Sequence, residues 1–332
     1  MDAIQSLLLQ LNLGAALNQY LRQHRNVLQA IVSEALETFA MPLLLTPRRS
    51  SSCELTEWSI EAAKHDAFVA ALAYLYLRQE RNTLRVIADL DPVRRPRHGN
   101  VRDNVLGKLA GPDQVDLDEM RNGTGSAQKA AKDRVTNHIA QRDGLLFQHV
   151  SWIAARIALP NGHLNAPHVR KADKGFDGFI IEFDATKGKV ERVILCEDKA
   201  SEKPRKLIRE SVWEEVRGIV CGERDDQILA DLTTLLAGIE GLDRDGAEDA
   251  IDTIIWKEVR QFRVSVATGV NHRRKVGGYA HLLQGFEAVA PGDAVTRMGG
   301  VLAFDNVRDG LEALAQAVSD RVRLISDERS DV

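Results

Sequence analysis

Two acids and a lysine, distant in the chain, have the side chains that could carry out chemistry. Asp177 lies in Gly175-Phe176-Asp177-Gly178, and the other two residues lie in Glu197-Asp198-Lys199. Paired carboxylates repel each other at close range, and a divalent cation such as Mg²⁺ or Mn²⁺ relieves that repulsion through oxygen ligands. A nearby amine can offset negative charge that develops on a phosphate. These residue types predict metal-assisted hydrolysis of a phosphodiester.

Two strands must position these side chains. The apolar runs 178–183 and 190–196 predict strands, and 184–189 predicts the hairpin turn between them. Side chains two positions apart share a face of a strand, so Glu197 and Lys199 point together and Asp198 points away. Because a hairpin is antiparallel, the end of the second strand returns to the start of the first. We therefore expect Asp177, Glu197 and Lys199 to converge at one end of the sheet.

Helices are expected on both sides of the hairpin. An apolar stripe predicts a helix over 144–159, and Pro204 is placed for the first turn of a helix over 205–220. The later pattern predicts another helix over 227–241, strands over 262–267 and 300–304, and a closing helix over 307–325. This order of elements indicates an α/β fold with a short mixed sheet.

The first part of the chain has a different pattern. Helical spacing of apolar residues predicts helices over 4–40 and 58–81, with a polar break at Pro47–Cys53. The segment 91–100 reads as a loop because it contains two prolines, and the small polar residues of 120–132 read as a linker. We therefore predict two domains, which are a helical N-terminal region over 1–135 and an α/β domain over 136–332.

The acid, the acid-x-lysine and the hairpin together resemble the PD-(D/E)XK nuclease superfamily, which has the restriction-endonuclease-like fold. The resemblance covers roughly residues 144–220 and implies an αβββα core with a mixed sheet. It implies that Asp177 and Glu197 hold Mg²⁺ or Mn²⁺ and that the Asp198 carbonyl adds a ligand. It also implies that Lys199 assists the attacking water, so the catalytic residues would be Asp177, Glu197 and Lys199.

Two positions depart from the pattern of that superfamily. Phe176 precedes Asp177 where the family pattern has a proline. Many members also carry an acid on the helix before the hairpin, whereas residues 144–159 contain none. Gln148, His149 or Asp143 could occupy that place, and the sequence leaves the choice among them open.

Basic residues near this motif are candidates for contacts with nucleic acid. One group surrounds the start of the helix after the hairpin, and a second follows a predicted strand; the residues are Lys203, Arg205, Lys206, Arg209, Arg273, Arg274 and Lys275. A third candidate is Arg94–His98. Lysine, arginine and helix N-termini bind phosphates. Each group also fits an ordinary exposed helix face or loop.

Composition limits the classes of function that the chain can have. The formal net charge is −4, which argues against a protein that coats nucleic acid generally but permits one local basic patch. Three scattered cysteines fit neither a disulfide framework nor a cysteine-based zinc site. The longest apolar runs are about half of the roughly 20 residues that a membrane span needs. The N-terminus does not read as a signal peptide, and we expect a cytoplasmic protein without a membrane partner.

The expected function is that of a Mg²⁺-dependent endonuclease that acts on DNA more readily than RNA. Family analogy suggests bacterial restriction or anti-phage defence as its setting, and a helicase, another protein or a second copy of the chain as its partner. One alternative is a nuclease-fold protein without catalytic activity that binds nucleic acid or regulates a partner. A third possibility is an interaction scaffold centred on the N-terminal helices.

Overall fold

The computed structural model describes residues 41–93, 99–167, 177–184, 189–239, 242–255 and 259–327. In these ranges the chain forms an α/β fold around a six-stranded mixed sheet. The strands are β1 Leu43–Arg48, β2 Glu54–Ile60, β3 Gly178–Phe183, β4 Val190–Ala200, β5 Arg260–Gly269 and β6 Arg297–Phe304. The helix predicted over 4–40 and the basic segment Arg94–His98 lie outside the described residues.

The order of the strands in the sheet is β1-β2-β6-β5-β4-β3. The four inner strands run parallel, and β1 and β3 pair antiparallel at the two sides. The carboxyl ends of the parallel strands therefore lie together at one end of the sheet, which we call the carboxyl edge. Because β3 runs in the opposite direction, its first residues lie at this same edge.

Ten α-helices of the described chain connect and cover the strands. They are α1 His65–Tyr76, α2 Glu80–Ile87, α3 Asn100–Leu109, α4 Gln114–Asn122, α5 Gly125–Ala158, α6 Pro204–Leu207, α7 Trp213–Cys221, α8 Asp225–Leu236, α9 Arg244–Ile255 and α10 Val307–Asp327. A π-helical turn, Ile208–Val212, joins α6 to α7. Short 3₁₀ turns occupy much of the connection between β5 and β6. No helix in the described ranges is long and apolar enough to cross a membrane.

Each face of the sheet has its own apolar core. On one face α1, α5 and α10 pack on side chains that include Ile180, Ile194 and Leu302. On the other face α7, α8, α9 and the β5–β6 connection pack on side chains that include Leu195 and Val264. Alternate residues of one strand thus enter opposite cores, as the two-residue repeat of a strand requires. The result is a three-layer arrangement in which the sheet is covered on both sides.

The N-terminal region is not wholly helical, because residues 43–60 form β1 and β2 of the common sheet. The prediction of a helix starting at 58 was wrong, since Trp58 lies in β2 and α1 begins at His65. The polar break at Pro47 lies in β1, which is the outermost strand on its side. Proline is tolerated on such strands because its missing N–H can face away from the sheet.

The predicted linker over 120–132 is also wrong, because α5 begins at Gly125 and runs unbroken to Ala158. The small polar residues at the start of α5 were typical of a linker, but the alanines among them strongly favour a helix. The predicted domain boundary between residues 135 and 136 therefore falls inside one helix. Since β1 and β2 share the sheet with the later strands, the described residues on either side of that boundary contribute to one structure.

Several predicted positions of strands and helices are confirmed. The first hairpin strand has the predicted bounds, and the second extends to Ala200. Pro204 occupies the first turn of α6. The two later strands and the closing helix α10 lie within a few residues of the predicted positions. The hairpin turn lies partly outside the described residues, although the Asp184 N–H donates to the Lys189 carbonyl across it at 3.0 Å.

The contact between β6 and β2 leads to a prediction about stability. A Cβ added at Gly300 would lie within 2.9 Å of three carbons of the Trp58 ring. We expect Gly300→Ala to destabilise the protein by about 1–3 kcal/mol, as overpacking in a core does. Gly144→Ala is the control, because its Cβ would meet no atom within 4 Å in helix α5. That change should stabilise the protein by about 0.5–1 kcal/mol, and urea unfolding measures both; equal effects would contradict the assigned contact.

Candidate active site at the carboxyl edge of the sheet

The register of the hairpin brings the first acid to the acid-x-lysine motif. Gly178 pairs with Cys196, so Asp177, one residue earlier, lies beside Glu197 at the carboxyl edge. Glu197 and Lys199 project from the same face of β4, and the Lys199 ammonium contacts Glu197 Oε1 directly. Its Nζ also lies 3.7 Å from Asp177 Oδ2. The structure thus brings together the three residues that the sequence predicted to converge.

A fourth charged group, Glu215 on α7, joins this cluster and was missed in the sequence. Its Oε2 lies 3.8 Å from Lys199 Nζ, and its Oε1 accepts a hydrogen bond from Ser211 Oγ at 3.3 Å. The π-helical turn before α7 adds a residue to one helical turn and so rotates the following helix face. The spacing in the sequence could have indicated this position. Glu215 lies three residues after Val212 and four before Ile219, so it shares the side of the helix that carries these two apolar residues.

Burial and mutual repulsion shape the charges of the cluster. Burial, followed by the negative charge of Asp177, raises the pKa of Glu197 well above its ordinary value. Burial alone would lower the pKa of Lys199, but the carboxylates of Glu197, Asp177 and Glu215 raise it. Lys199 is therefore an ammonium ion at neutral pH. Three carboxyl groups share this one cation, which leaves an excess of negative charge whenever all three are ionised.

Asp198 points to the opposite face of the sheet, as predicted. Its Oδ1 accepts a hydrogen bond from Ser151 Oγ of α5 at 2.6 Å, and Arg263 Nη2 lies 3.9 Å away. Burial raises the pKa of Asp198 to about 6, although Arg263 opposes this rise. The Asp198 side chain therefore does not face the Lys199 cluster.

The main chain of Asp198, in contrast, does face the cluster. Its N–H donates to Asp177 Oδ2 at 2.8 Å. Val193 and Ser201 direct their N–H groups toward β5, so the alternate residues of β4, including Asp198, direct theirs toward β3. Within a strand the C=O of a residue points to the same side as its N–H. The Asp198 carbonyl thus lies on the Asp177 side, where the resemblance requires it.

Helix α5 supplies the group that meets Asp177 from the other side. Gln148 Nε2 donates a hydrogen bond to Asp177 Oδ1. The two other residues left open by the sequence have different surroundings. Asp143 is fully buried and paired with Arg142 and Arg308, and His149 stacks on Tyr76 with ring centroids 3.8 Å apart. Of these three residues of α5, Gln148 is the one that contacts the cluster.

The stacked histidine leads to a prediction of pH-dependent stability. Burial lowers the pKa of His149 to about 3, whereas an unfolded chain protonates it near 6.5. Below about pH 6.5 the unfolded state binds more protons, so stability falls as the pH falls. We expect a loss of about 2 kcal/mol between pH 8 and pH 5 from this residue. Urea unfolding at several pH values measures the free energy of unfolding of wild type and of His149→Phe, which keeps the stacked ring. The variant should lack this loss of stability between pH 8 and pH 5, and an identical pH dependence in both proteins would contradict the assignment.

The first basic group divides into structural and exposed members. Arg205 donates from Nη1 to the carbonyls of Leu282 and Gln284, at 3.1 and 2.7 Å, so it anchors the β5–β6 connection. Lys206 and Arg209 are exposed and both pair with Glu210. Lys203 is exposed at the start of α6. Three of these four predicted residues therefore remain open to solvent.

The second basic group lies on the turn that follows β5 at the carboxyl edge. Arg273, Arg274 and Lys275 are exposed, and Arg273 Nη2 lies 3.8 Å from Glu57 Oε2. Within the described chain, Arg274 and Lys275 form no ion pair. Since β5 is the neighbour of β4 and parallel to it, this turn and the Asp177–Glu197–Lys199 cluster occupy the same edge of the sheet.

Comparisons with known proteins do not assign the chain to a family. It matches no protein-family model and, at a significant level, no curated protein. Across the ranges that the structure describes, no group of three or more His, Cys, Asp and Glu side chains is arranged to hold a metal ion. The cation that Asp177, Glu197 and Glu215 contact in this structure is the ammonium group of Lys199.

Proposed function

We propose that the chain is a metal-dependent nuclease with a restriction-endonuclease-like core, and that it hydrolyses phosphodiester bonds in DNA. In the described chain two strands, β3 and β4, stand between helices α5 and α6, which is one strand fewer than the expected αβββα order. The observation that carries the proposal is the Lys199 ammonium, which lies within 4 Å of both Asp177 and Glu197 at the end of an antiparallel strand pair. The helices that flank the hairpin, which are α5 before it and α6 and α7 after it, also support the proposal. The family resemblance adds the chemistry that this arrangement serves.

The residues of the cluster fit a hard divalent cation. Carboxylate and carbonyl oxygens are the donors that Mg²⁺ and Mn²⁺ prefer, and Asp177, Glu197 and the Asp198 carbonyl offer such oxygens on one side of β4. Their excess negative charge supplies the electrostatic reason for binding. When bound, the ion would polarise a phosphoryl oxygen and favour ionisation of a nearby water.

The protein's own residues would act around that ion in separate ways. Asp177 and Glu197 would hold the ion, while Gln148 and the Asp198 N–H fix both oxygens of Asp177. Lys199 would place its positive charge beside the phosphate, where negative charge increases as the water oxygen bonds to phosphorus. The ester P–O bond then breaks, the attacking water gives up a proton to solvent, and the leaving oxygen takes up a proton from solvent. Glu215 would keep Lys199 in place when Glu197 turns to the ion.

The experiment that tests the proposal is a nicking assay on supercoiled plasmid. We expect wild-type protein to nick DNA with Mg²⁺ or Mn²⁺ and to stop when EDTA removes the ion. Parallel reactions on single-stranded DNA and RNA determine the preferred substrate. Binding of DNA without cleavage under any of these metal conditions would reject the nuclease in favour of the inactive nuclease-fold alternative. Full biological function of Glu197→Ala would instead favour the interaction scaffold.

The exposed cations at the carboxyl edge give a prediction about binding. We expect the double change Arg274→Ala, Lys275→Ala to weaken DNA binding and to lower the salt slope of log K by up to about 1.8, because each phosphate contact contributes about 0.9. Lys189→Ala is the control, since Lys189 is exposed just before β4 at the opposite end of the strand. Fluorescence anisotropy with EDTA at several salt concentrations measures both; an unchanged slope in the double variant would exclude this turn.

Family analogy extends the proposal to a setting. Restriction or anti-phage defence in the cytoplasm, with a helicase or a second copy of the chain as partner, is the setting we propose. Activity against phage in cells that express wild type, and its loss in a cleavage-deficient variant, would test this part separately from the nicking assay.

A further inference from the structure

A buried polar triad lies on the face of the sheet opposite the Lys199 cluster. It consists of Ser151 on α5, Asp198 on β4 and Arg263 on β5, which are 0, 5 and 8% exposed. Arg263 Nη2 donates to Ser151 Oγ at 2.6 Å, and Ser151 Oγ donates to Asp198 Oδ1 at 2.6 Å. Two buried charges and a hydroxyl are thus joined in one chain of hydrogen bonds. Apolar side chains of similar volume often stabilise a protein at least as well as such a buried charged group does. Stability alone therefore does not explain the triad.

The triad connects to the cluster through the main chain of one residue. The Asp198 side chain is held from behind by Ser151, while the Asp198 N–H holds Asp177 Oδ2 in front at 2.8 Å. Gln148, which holds Asp177 Oδ1, stands one helical turn before Ser151 on α5. Residues three apart lie on one side of a helix. One turn of α5 therefore fixes both the side chain of Asp177 and the strand segment that orients it.

We infer that Ser151 and Arg263 are positioning residues for the proposed metal site, acting on Asp177 through the backbone of Asp198. This inference rests on the proposed function. A small shift of β4 at Asp198 would move the N–H away from Asp177 and, with it, the carbonyl that faces the same side. Groups that orient metal ligands affect metal binding even though they do not touch the ion. The triad thus has a role beyond attaching α5 to the sheet.

The experiment uses the full chain with Ser151→Ala and Ser151→Cys. We expect Ser151→Ala to bind Mg²⁺ about tenfold more weakly by calorimetry, at the lower end of the range for groups that orient ligands. Exchange of the Asp198 amide hydrogen, measured without metal, should be about tenfold faster, as loss of one hydrogen bond allows. Ser151→Cys should fall between wild type and Ser151→Ala, because a thiol is a weaker donor. In cleavage, kcat should fall while KM for DNA stays unchanged.

Ser319→Ala is the matched control, because Ser319 is a buried helical serine on α10 that belongs to neither the triad nor the cluster. It should lower stability without changing Mg²⁺ affinity or exchange of the Asp198 amide. Equal behaviour of Ser151→Ala and Ser319→Ala in both measurements would overturn the inference. If wild type bound no Mg²⁺, the proposed function would fail, and the amide exchange measured without metal would still decide whether Ser151 positions Asp198.

Discussion

Replacing Lys199 with methionine is expected to lower metal-dependent DNA cleavage by about 10²–10³-fold, which is the range for loss of one group that stabilises charge in the transition state. The ammonium group of Lys199 contacts Asp177, Glu197 and Glu215, and the methionine side chain has a similar length without the charge. If Lys199 acts on the phosphate, the rate of cleavage falls, while DNA affinity measured without metal changes little. Plasmid nicking under single-turnover conditions measures the rate.

The same variant has a second signature in the absence of metal. Without the ammonium group, the carboxylates of Asp177, Glu197 and Glu215 lose their shared cation. We therefore expect Lys199→Met to lower the free energy of unfolding, measured with urea, by about 1–3 kcal/mol. Mg²⁺ should restore part of this loss, because a ligand that binds the folded state stabilises it. Lys189→Met, at the other end of the strand, is the control. Cleavage at the wild-type rate by Lys199→Met would refute the proposed role of Lys199.

Glu197→Gln is expected to produce an equally large loss of cleavage together with a gain in metal-free stability. Burial and the charge of Asp177 raise the pKa of Glu197 despite the attraction of Lys199, so its ionised form is unfavourable in the folded protein. Glutamine has nearly the same shape and no charge. The melting temperature of the variant in EDTA should therefore exceed that of wild type, while the shift produced by Mg²⁺ should shrink.

The pH dependence of that gain follows from the same cause. A carboxyl group whose pKa is raised by folding contributes less stability once the pH passes the value of about 4.3 that it has in the unfolded chain. The gain from Glu197→Gln should thus be small near that pH and grow as the pH rises toward neutrality. Glu182→Gln is the control, because Glu182 lies on the same hairpin and pairs with Arg192. A lower melting temperature for Glu197→Gln at neutral pH would contradict the repulsion described here.

The hairpin could be predicted from local sequence because its signals are local. Two apolar runs separated by a short turn determine an antiparallel pair, and the two-residue repeat places Glu197 and Lys199 on one face. The register, with Gly178 opposite Cys196, then brings Asp177 to the same end. Strands β1 and β2 form a local antiparallel pair that was not predicted. The other partner of β2 is β6, which lies about 240 positions later in the chain. No local pattern encodes such a partner.

The sequence by itself determined the residue types of the candidate site, the hairpin that carries them and the opposite orientation of Asp198. Tertiary structure alone decided which groups surround them. Glu215 arrives on a helix after a π-helical turn, and Gln148, rather than His149 or Asp143, reaches Asp177. Arg263 comes from a strand that pairs only after a long crossover. Hydrogen-bond periodicity along a strand is local, whereas contacts between layers depend on how helices pack, and packing is set by the whole chain.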